Sequence, residues 1–257
     1  MDYLLRRWLV IGDQGERAMA KQPASTDCAR DGALTTARIL LEIQAINFRP
    51  EQPYALTSGS KSPIYIDCRR SIFLPRARGK ICELGVEKIN RHTGYETIEA
   101  VAGGNTAGIP FAAWIADRMS APMAYVRKQA KGFGRNSLID GDVPEGKRTR
   151  LVEDFTTDGQ SKIRFAQALR DAGTIVKHTF VVFFYGAFEI LARMDIALHH
   201  LCTSWDVLEA CNDRAYFSEQ ALAEVRRFLE DLVAWSATHD GFSSAGEAMA
   251  CKAAAEA

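Results

Sequence analysis

The sequence predicts an α/β protein, with a central, mainly parallel sheet flanked by helices. Short apolar runs alternate with stretches of helical periodicity, the pattern of βα units joined by right-handed crossovers. One unit, Arg150 to Ser161 (R-L-V-E-D-F-T-T-D-G-Q-S), runs from apolar residues through two adjacent carboxylates into small hydroxyl residues and a glycine, with a helix-like pattern from Lys162 to Arg170. A second, Val101 to Pro110 (V-A-G-G-N-T-A-G-I-P), joins a short apolar strand to a helix through glycines. The 257 residues suffice for one substantial core with small appendages.

The elements follow in order. Residues 1–32 read as a poorly ordered tail: Met1 to Val10 is broken by Arg6 and Arg7, and Ala18 to Gly32 is polar and turn-rich. Met19 is a candidate alternative start. The body spans 33–240. Leu34 to Ile46 has apolar residues at helical spacing, Ile64 to Cys68 reads as a strand, and Pro75 to Arg91 as a helix with proline in its first turn. Ile98 to Ala102 is a short strand, Gly108 to Met119 a helix, Met123 to Val126 a strand, and Thr149 to Val152 the strand before the acidic pair. A helix from Ser161 to Asp171 stops at Gly173, and Ile175 to Tyr185 is a long β-branched and aromatic strand. Ser218 to Trp235 reads as one amphipathic helix. The end, 241–257, is Ala/Gly/Ser-rich and reads as a flexible tail.

Composition narrows the class. Lys+Arg and Asp+Glu both number 32, so zero net charge gives no ground for expecting nucleic acid or an anionic membrane as partner. No apolar run is long enough to span a bilayer. The six cysteines are scattered without metal-ligand spacing, as expected of buried thiols in a reducing cytoplasm.

The chemistry sits in two places. In the Arg150–Ser161 segment, Thr156, Thr157, Gly159 and Ser161 let backbone N–H groups close on a phosphate, and the following helix adds its dipole. Glu153 and Asp154 beside such a loop would repel a bare phosphate. They fit ribose hydroxyls, or a Mg²⁺ that travels with the ligand, so the ligand read here is a ribose phosphate. The alternative is an ordinary βα turn capped by Asp158. The other place is Tyr125 to Asn136 (Y-V-R-K-Q-A-K-G-F-G-R-N). Arg127, Lys128, Lys131 and Arg135 put four cations in nine residues, at the start of a polar, glycine-rich stretch from Gln129 to Val143. Such a loop can fold over a polyanion; it can also be simply a solvated basic loop.

The first segment resembles the phosphoribosyl-diphosphate (PRPP) motif of the phosphoribosyltransferases, in which two acids follow a strand and a T-x-x-G-x-S/T loop holds the 5′-phosphate. Glu153 is one methylene longer than the usual first Asp. The second segment's R-K-Q-A-K resembles the R-K-x-x-K loop of the orotate phosphoribosyltransferases. S-G-S-K-S-P-I-Y-I-D, Ser58 to Asp67, is similar to that family's S-G-x-x-S-P-x-Y-x-D, and Val101 to Pro110 to its G-x-x-x-x-G-I-P loop. Together, in order, the motifs cover about Leu34 to Trp205.

The resemblance implies a type I phosphoribosyltransferase fold with a small N-terminal hood. It implies transfer of phosphoribose from PRPP to orotate in pyrimidine synthesis, with Mg²⁺ carried by PRPP rather than held directly by the protein. It implies Lys131, Asp154 and Glu153 as catalytic. Arg127, Lys128, Lys131 and the run Glu153, Asp154, Phe155, Thr156, Thr157, Asp158, Gly159, Gln160 and Ser161 would bind PRPP. Ser58, Gly59, Ser62 and Thr157 would bind orotate, and Gly104, Asn105, Thr106, Ala107 and Gly108 would form the diphosphate loop. Members are dimers, so a homodimer is expected.

Four departures stand out: Thr57 and Ala107 replace frequent lysines, Phe133 a frequent histidine, and the run after Tyr185 lacks a frequent arginine. Lys61, Arg69, Arg70 and Arg135 are candidate replacements. Two other readings stay open, a phosphoribosyltransferase for another base and a PRPP-binding regulator. Ser58 to Asp67 argues against the first, and R-K-Q-A-K against the second.

Overall fold

In a computed structural model, the structure describes residues 27–56, 60–129, 138–156, 160–185 and 195–241. Six strands form the main sheet: β5 (Ala100–Gly104), β6 (Met123–Val126), β7 (Ile139–Asp140), β8 (Arg148–Thr156), β9 (Ile175–Phe184) and β10 (Ala197–Thr203). Their order is β10-β9-β8-β5-β6-β7, parallel except for the antiparallel edge strand β7. The order reverses between the adjacent strands β5 and β8, the kind of switch point at which open α/β sheets bind ligands at their carboxyl ends.

Helices cover both faces. Pro75–Thr93 (α3) and Gly108–Met119 (α4) pack on one face with Asp27–Glu42 (α1), where Val152, Phe180, Phe111, Ile115 and Leu40 form the larger core. Gln160–Asp171 (α5) covers the other face, where Leu151, Phe165, Ala166 and Leu169 form the smaller one. β8 is buried along nearly its whole length, as a central parallel strand covered on both faces should be.

Four short strands build the hood. Ile46–Phe48 (β1) pairs antiparallel with Ile64–Ile66 (β4), and Tyr54–Ala55 (β2) with Lys61–Ser62 (β3). Arg70–Phe73 (α2) leads from the hood into α3. Ser204–Ala210 (α6), Glu219–Glu230 (α7) and Leu232–Ala237 (α8) follow the sheet, α7 packing on β1 and α8 on β3. Phe48 stacks on Phe217 at 4.2 Å, and the Lys61 backbone N–H donates to Ser236 Oγ at 2.9 Å.

Several elements differ from the sequence reading. The expected N-terminal tail is already helical from Asp27, because α1 buries Leu40 and Leu41 in the core and Arg30 is anchored to Glu209. β8 runs through the acidic pair instead of ending before it. The expected helix over Ser218 to Trp235 breaks at Asp231, whose backbone is non-helical (φ −148°, ψ 89°) and whose side chain accepts from Ala234 N–H to cap α8. β10 and α6 were not read from the sequence. Part of the Gln129–Val143 loop is β7, while residues 130–137 lie outside the described ones, as do the tail 242–257 and all but Gly241 of the expected 241–257 tail. Cys68, Cys82, Cys202 and Cys211 are buried free thiols.

A basic cluster lies on the α3 face near the far end of the strands. His178 Nδ1 and His199 Nε2 are 3.1 Å apart, His92 sits edge-on to His199, and buried Arg150 is near enough to both to disfavour their charging. Burial, reinforced by Arg150 and Lys88, pulls His199 down to about 3; on the other side of β10, burial pulls His200 down to about 4. His199 and His200 are neutral in the fold and ionise near 6.5 when unfolded, so their stability contribution is present above about pH 6.5 and lost as pH falls toward 4. Melting temperature should therefore fall by roughly 5 °C or more between pH 7 and pH 4.5. His199→Gln should flatten that slope, and a variant with the wild-type slope would exonerate the cluster.

Candidate active site

Two βα junctions meet at the switch point. β5 ends at Gly104, and Asn105, Thr106 and Ala107 turn into α4 at Gly108. The Asn105 N–H donates to Val126 O at 2.9 Å, tying this turn to the end of β6. Next to it, β8 ends at Thr156, and α5 begins at Gln160. Phe155 and Thr156 are at the strand end and Ser161 in the first turn of the helix, whereas Thr157, Asp158 and Gly159 lie outside the described residues, as does the Gln160 side chain.

Glu153 and Asp154 are consecutive on one strand, so their side chains leave on opposite faces. Asp154 faces the hood, near enough to Cys68 to raise its thiol pKa and close enough to Arg69 to feel its charge. Burial pushes the Asp154 carboxyl above its usual range, against the pull of Lys162 and of backbone amides. Glu153 does not face the hood as a pair with Asp154 would. Its carboxylate turns to the α5 side, where Oε2 is 3.1 Å from Lys162 Nζ, and these two side chains are only 8% and 6% exposed. Oε1 is buried without a hydrogen-bond partner. Burial pushes Glu153 up to about 7.

The diphosphate-loop glycines lie directly on this carboxylate. A Cβ on Gly104 would come within 2.0 Å of Glu153 Oε1, and one on Gly108 within 2.6 Å. A Cβ on Gly104 would also meet Phe165 at 2.6 Å and one on Gly108 would meet Val152 O at 2.5 Å, so close packing against β8 leaves no room for a side chain at either position, a reason the sequence alone does not disclose.

The basic loop leaves the same end of the sheet. Arg127 pairs with Asp140, and its N–H donates to Leu138 O at 2.7 Å, so β6 and β7 close the loop's neck. Lys128 is exposed and close enough to Glu153 to lower its pKa. Lys131 and Arg135 lie outside the described residues.

In the hood, Ser58 and Gly59 are outside the described residues. Ser62 is fully buried and bonded to the Tyr185 hydroxyl and to the backbone of Ile64. Of the replacement cations, Arg69 pairs with Asp67 at 2.5 Å and Arg70 donates to Ile43 O at 3.0 Å. Lys162 was not singled out in the sequence reading, yet a signal was there. A cation in the first turn of a helix opposes the dipole and calls for a carboxylate partner.

A parallel sheet whose switch point carries two adjoining anion loops, an acidic strand end and a hood defines a type I phosphoribosyltransferase. No family model matches the chain. It is 47% identical over 217 residues to an orotate phosphoribosyltransferase of Ruegeria sp. (strain TM1040), covering 83% of this chain and 96% of that protein. It is 48% identical, over 83% of this chain and 94% of the relative, to an orotate phosphoribosyltransferase of Cereibacter sphaeroides. Among solved structures, the Aeropyrum pernix orotate phosphoribosyltransferase superposes with a TM-score of 0.61 at 32% identity, over 70% of this chain and 99% of that one. The chain belongs to the orotate phosphoribosyltransferase family, and it is a pentosyltransferase enzyme.

Proposed function

We propose that the protein transfers the 5-phosphoribosyl group of PRPP to orotate, giving orotidine 5′-monophosphate and diphosphate in the synthesis of UMP. The observation that carries this reading is the juxtaposition of two anion loops, at the ends of neighbouring strands β5 and β8, with Asp154 between them and the hood. A sugar phosphate with an anion at each end spans such a pair of loops.

The turn from Thr156 to Ser161 and the N-terminus of α5 receive the 5′-phosphate. Asp154 accepts hydrogen bonds from the ribose hydroxyls. The turn from Gly104 to Gly108 receives the diphosphate. A pyrimidine N–H nitrogen attacks C1′ as the C1′–O bond breaks; the electron pair of that bond leaves on the diphosphate, which takes up the proton that the nitrogen loses, with inversion at C1′. Charge grows on the leaving group, so cations belong there, and Lys128 and the loop beyond it are at that end of the sheet. Arg127 steadies the loop's neck through Asp140. Lys131, further along the sequence, is the proposed cation that assists the diphosphate as it departs. Ser58, Gly59 and Thr157 are the proposed contacts of the base.

Among the described residues no three His, Cys, Asp or Glu side chains converge as a metal cage. Mg²⁺ needs only one or two carboxylates when substrate phosphates supply other ligands, and Asp154 at the strand end fits that requirement. When bound, the ion supplies charge neutralisation on the diphosphate. We further propose a cytoplasmic homodimer; no described helix is long and apolar enough to cross a membrane.

The test is the fall of orotate absorbance when the protein is mixed with PRPP and Mg²⁺, with adenine and hypoxanthine as parallel substrates. Orotate consumption with release of diphosphate is expected. Consumption of a purine base instead, or of none, would overturn the assignment.

A further inference from the structure

The Lys162 ammonium is nearly sealed from solvent, and its three protons have three acceptors. It donates to Phe155 O at 2.5 Å, to Ser161 Oγ at 3.3 Å, and to Glu153 Oε2 at 3.1 Å. Phe155 stands at the entry of the 5′-phosphate turn and Ser161 at its exit, so one ammonium spans the two ends of that loop. Through Glu153 it also reaches the other loop, because Oε1 of the same carboxylate lies against Gly104 and Gly108.

This arrangement is poorly suited to stability alone. Burying two charges costs much of what their attraction returns, and a well-packed apolar pair of similar volume often does as well. The cation also sits where the helix dipole opposes it, and an exposed lysine would normally carry its head group out to water. What the pair does supply is a fixed distance between two loops that must grip opposite ends of one substrate. Misplacement of such anchors by an ångström is enough to slow a reaction strongly.

We propose that Lys162 is a positioning residue for phosphoribosyl transfer, bracing the 5′-phosphate loop through Phe155 and Ser161 and the diphosphate loop through Glu153. The inference rests on the PRPP reading of the site and deepens it. Lys162 touches neither substrate; it acts through backbone and carboxylate.

Two consequences separate this role from a purely structural one. The first is selectivity: both phosphate anchors loosen while the base site, built on the hood, does not. Lys162→Met should raise the KM for PRPP and the Kd for diphosphate by about tenfold or more, with the orotate KM at saturating PRPP moving by less than about twofold. The second is persistence. In a Glu153→Gln background the substitution leaves no buried charge unpaired, yet the contacts to Phe155 and Ser161 are still lost. Lys162→Met should therefore still weaken diphosphate binding in that background.

The experiment uses the full-length protein and measures diphosphate and PRPP binding by calorimetry, steady-state KM for both substrates, and melting temperature. It compares wild type, Lys162→Met, Glu153→Gln and the double variant. If Lys162→Met alone fails to fold, the comparison of Glu153→Gln with the double variant carries the test. Equal diphosphate affinity in those two proteins would overturn the brace. So would a parallel loss in PRPP and orotate KM, which would mean general damage. Wild-type protein that binds diphosphate but consumes no orotate would instead sink the functional reading, leaving the brace to be judged on diphosphate affinity.

Discussion

Replacing Asp154 with asparagine is expected to lower kcat/KM for PRPP by about three orders of magnitude, roughly 4 kcal/mol of transition-state stabilisation. The argument starts from where the strand leaves this side chain. Asp154 is the carboxylate of the acidic pair that faces the hood and the switch point, while Glu153 is occupied with Lys162. Asparagine has nearly the same shape but carries no charge to meet the ribose hydroxyls or the cation arriving with the diphosphate. The fold should not suffer. Burial already pushes the Asp154 carboxyl above its usual range, so the charge is held at some cost and its neutral counterpart relieves that cost. Melting temperature should stay within a few degrees of wild type. A well-folded variant keeping more than about a tenth of the wild-type kcat/KM would remove Asp154 from the mechanism.

Replacing Lys131 with alanine should lower kcat by about a hundredfold and change the orotate KM by no more than about threefold. The loop leaves the sheet beside the diphosphate turn, with its neck closed by Arg127, Asp140 and Leu138. On the proposed reading, Lys131, four residues beyond Arg127 in the sequence, is the cation that serves a group leaving at the end of β5. Such a cation matters most once charge has developed on the diphosphate, so its loss shows in turnover rather than in orotate binding. Stopped-flow measurement of a single turnover, with PRPP saturating, would isolate that step. An effect confined to KM would make Lys131 a binding residue only. Mixing this variant with Asp154→Asn asks in addition whether the loop works across a dimer, since recovered activity after subunit exchange requires one chain's loop in its partner's site.

Much of the architecture could be read from residues. Gly108–Met119 and Met123–Val126 fall where periodicity put them, because proline and glycine punctuate both and their apolar faces are unambiguous. The parallel sheet followed from alternation alone. What escaped had specific causes. β10, with its two histidines, looks too polar for a strand, yet it needs only one face in the core. β1, β2 and β3 are two or three residues long, too short for any period to show. Asp231 interrupts an amphipathic pattern that continues on both sides of it, so only the cap geometry reveals the break.

The site was legible as a set of loops and less so as a set of contacts. Sequence ended the strand just before the acidic pair and so could not say that the two carboxylates diverge, which depends on how far β8 continues. It named Ser62 for its neighbours in a motif and could not say that Tyr185, 123 residues away, bonds to that hydroxyl. Lys162 looked like one more surface lysine on α5, and only its contacts with Phe155 O and Glu153, with a side chain 6% exposed, show that it is sealed in.

The hood has a consequence for the order in which the molecule is made. Its ribbons come from residues 46–66, but they are covered by α7 and α8, and the Lys61 N–H finds its acceptor in Ser236. A ribosome delivers those two partners 175 residues apart. The six strands of the main sheet are complete by Thr203, before α7 begins at Glu219, so a nascent chain passes through a stage with the main sheet finished and the hood uncovered. Arrested chains released between Thr203 and Glu219 would sample that stage and, on the proposed reading, should hold a phosphate without enclosing a pyrimidine.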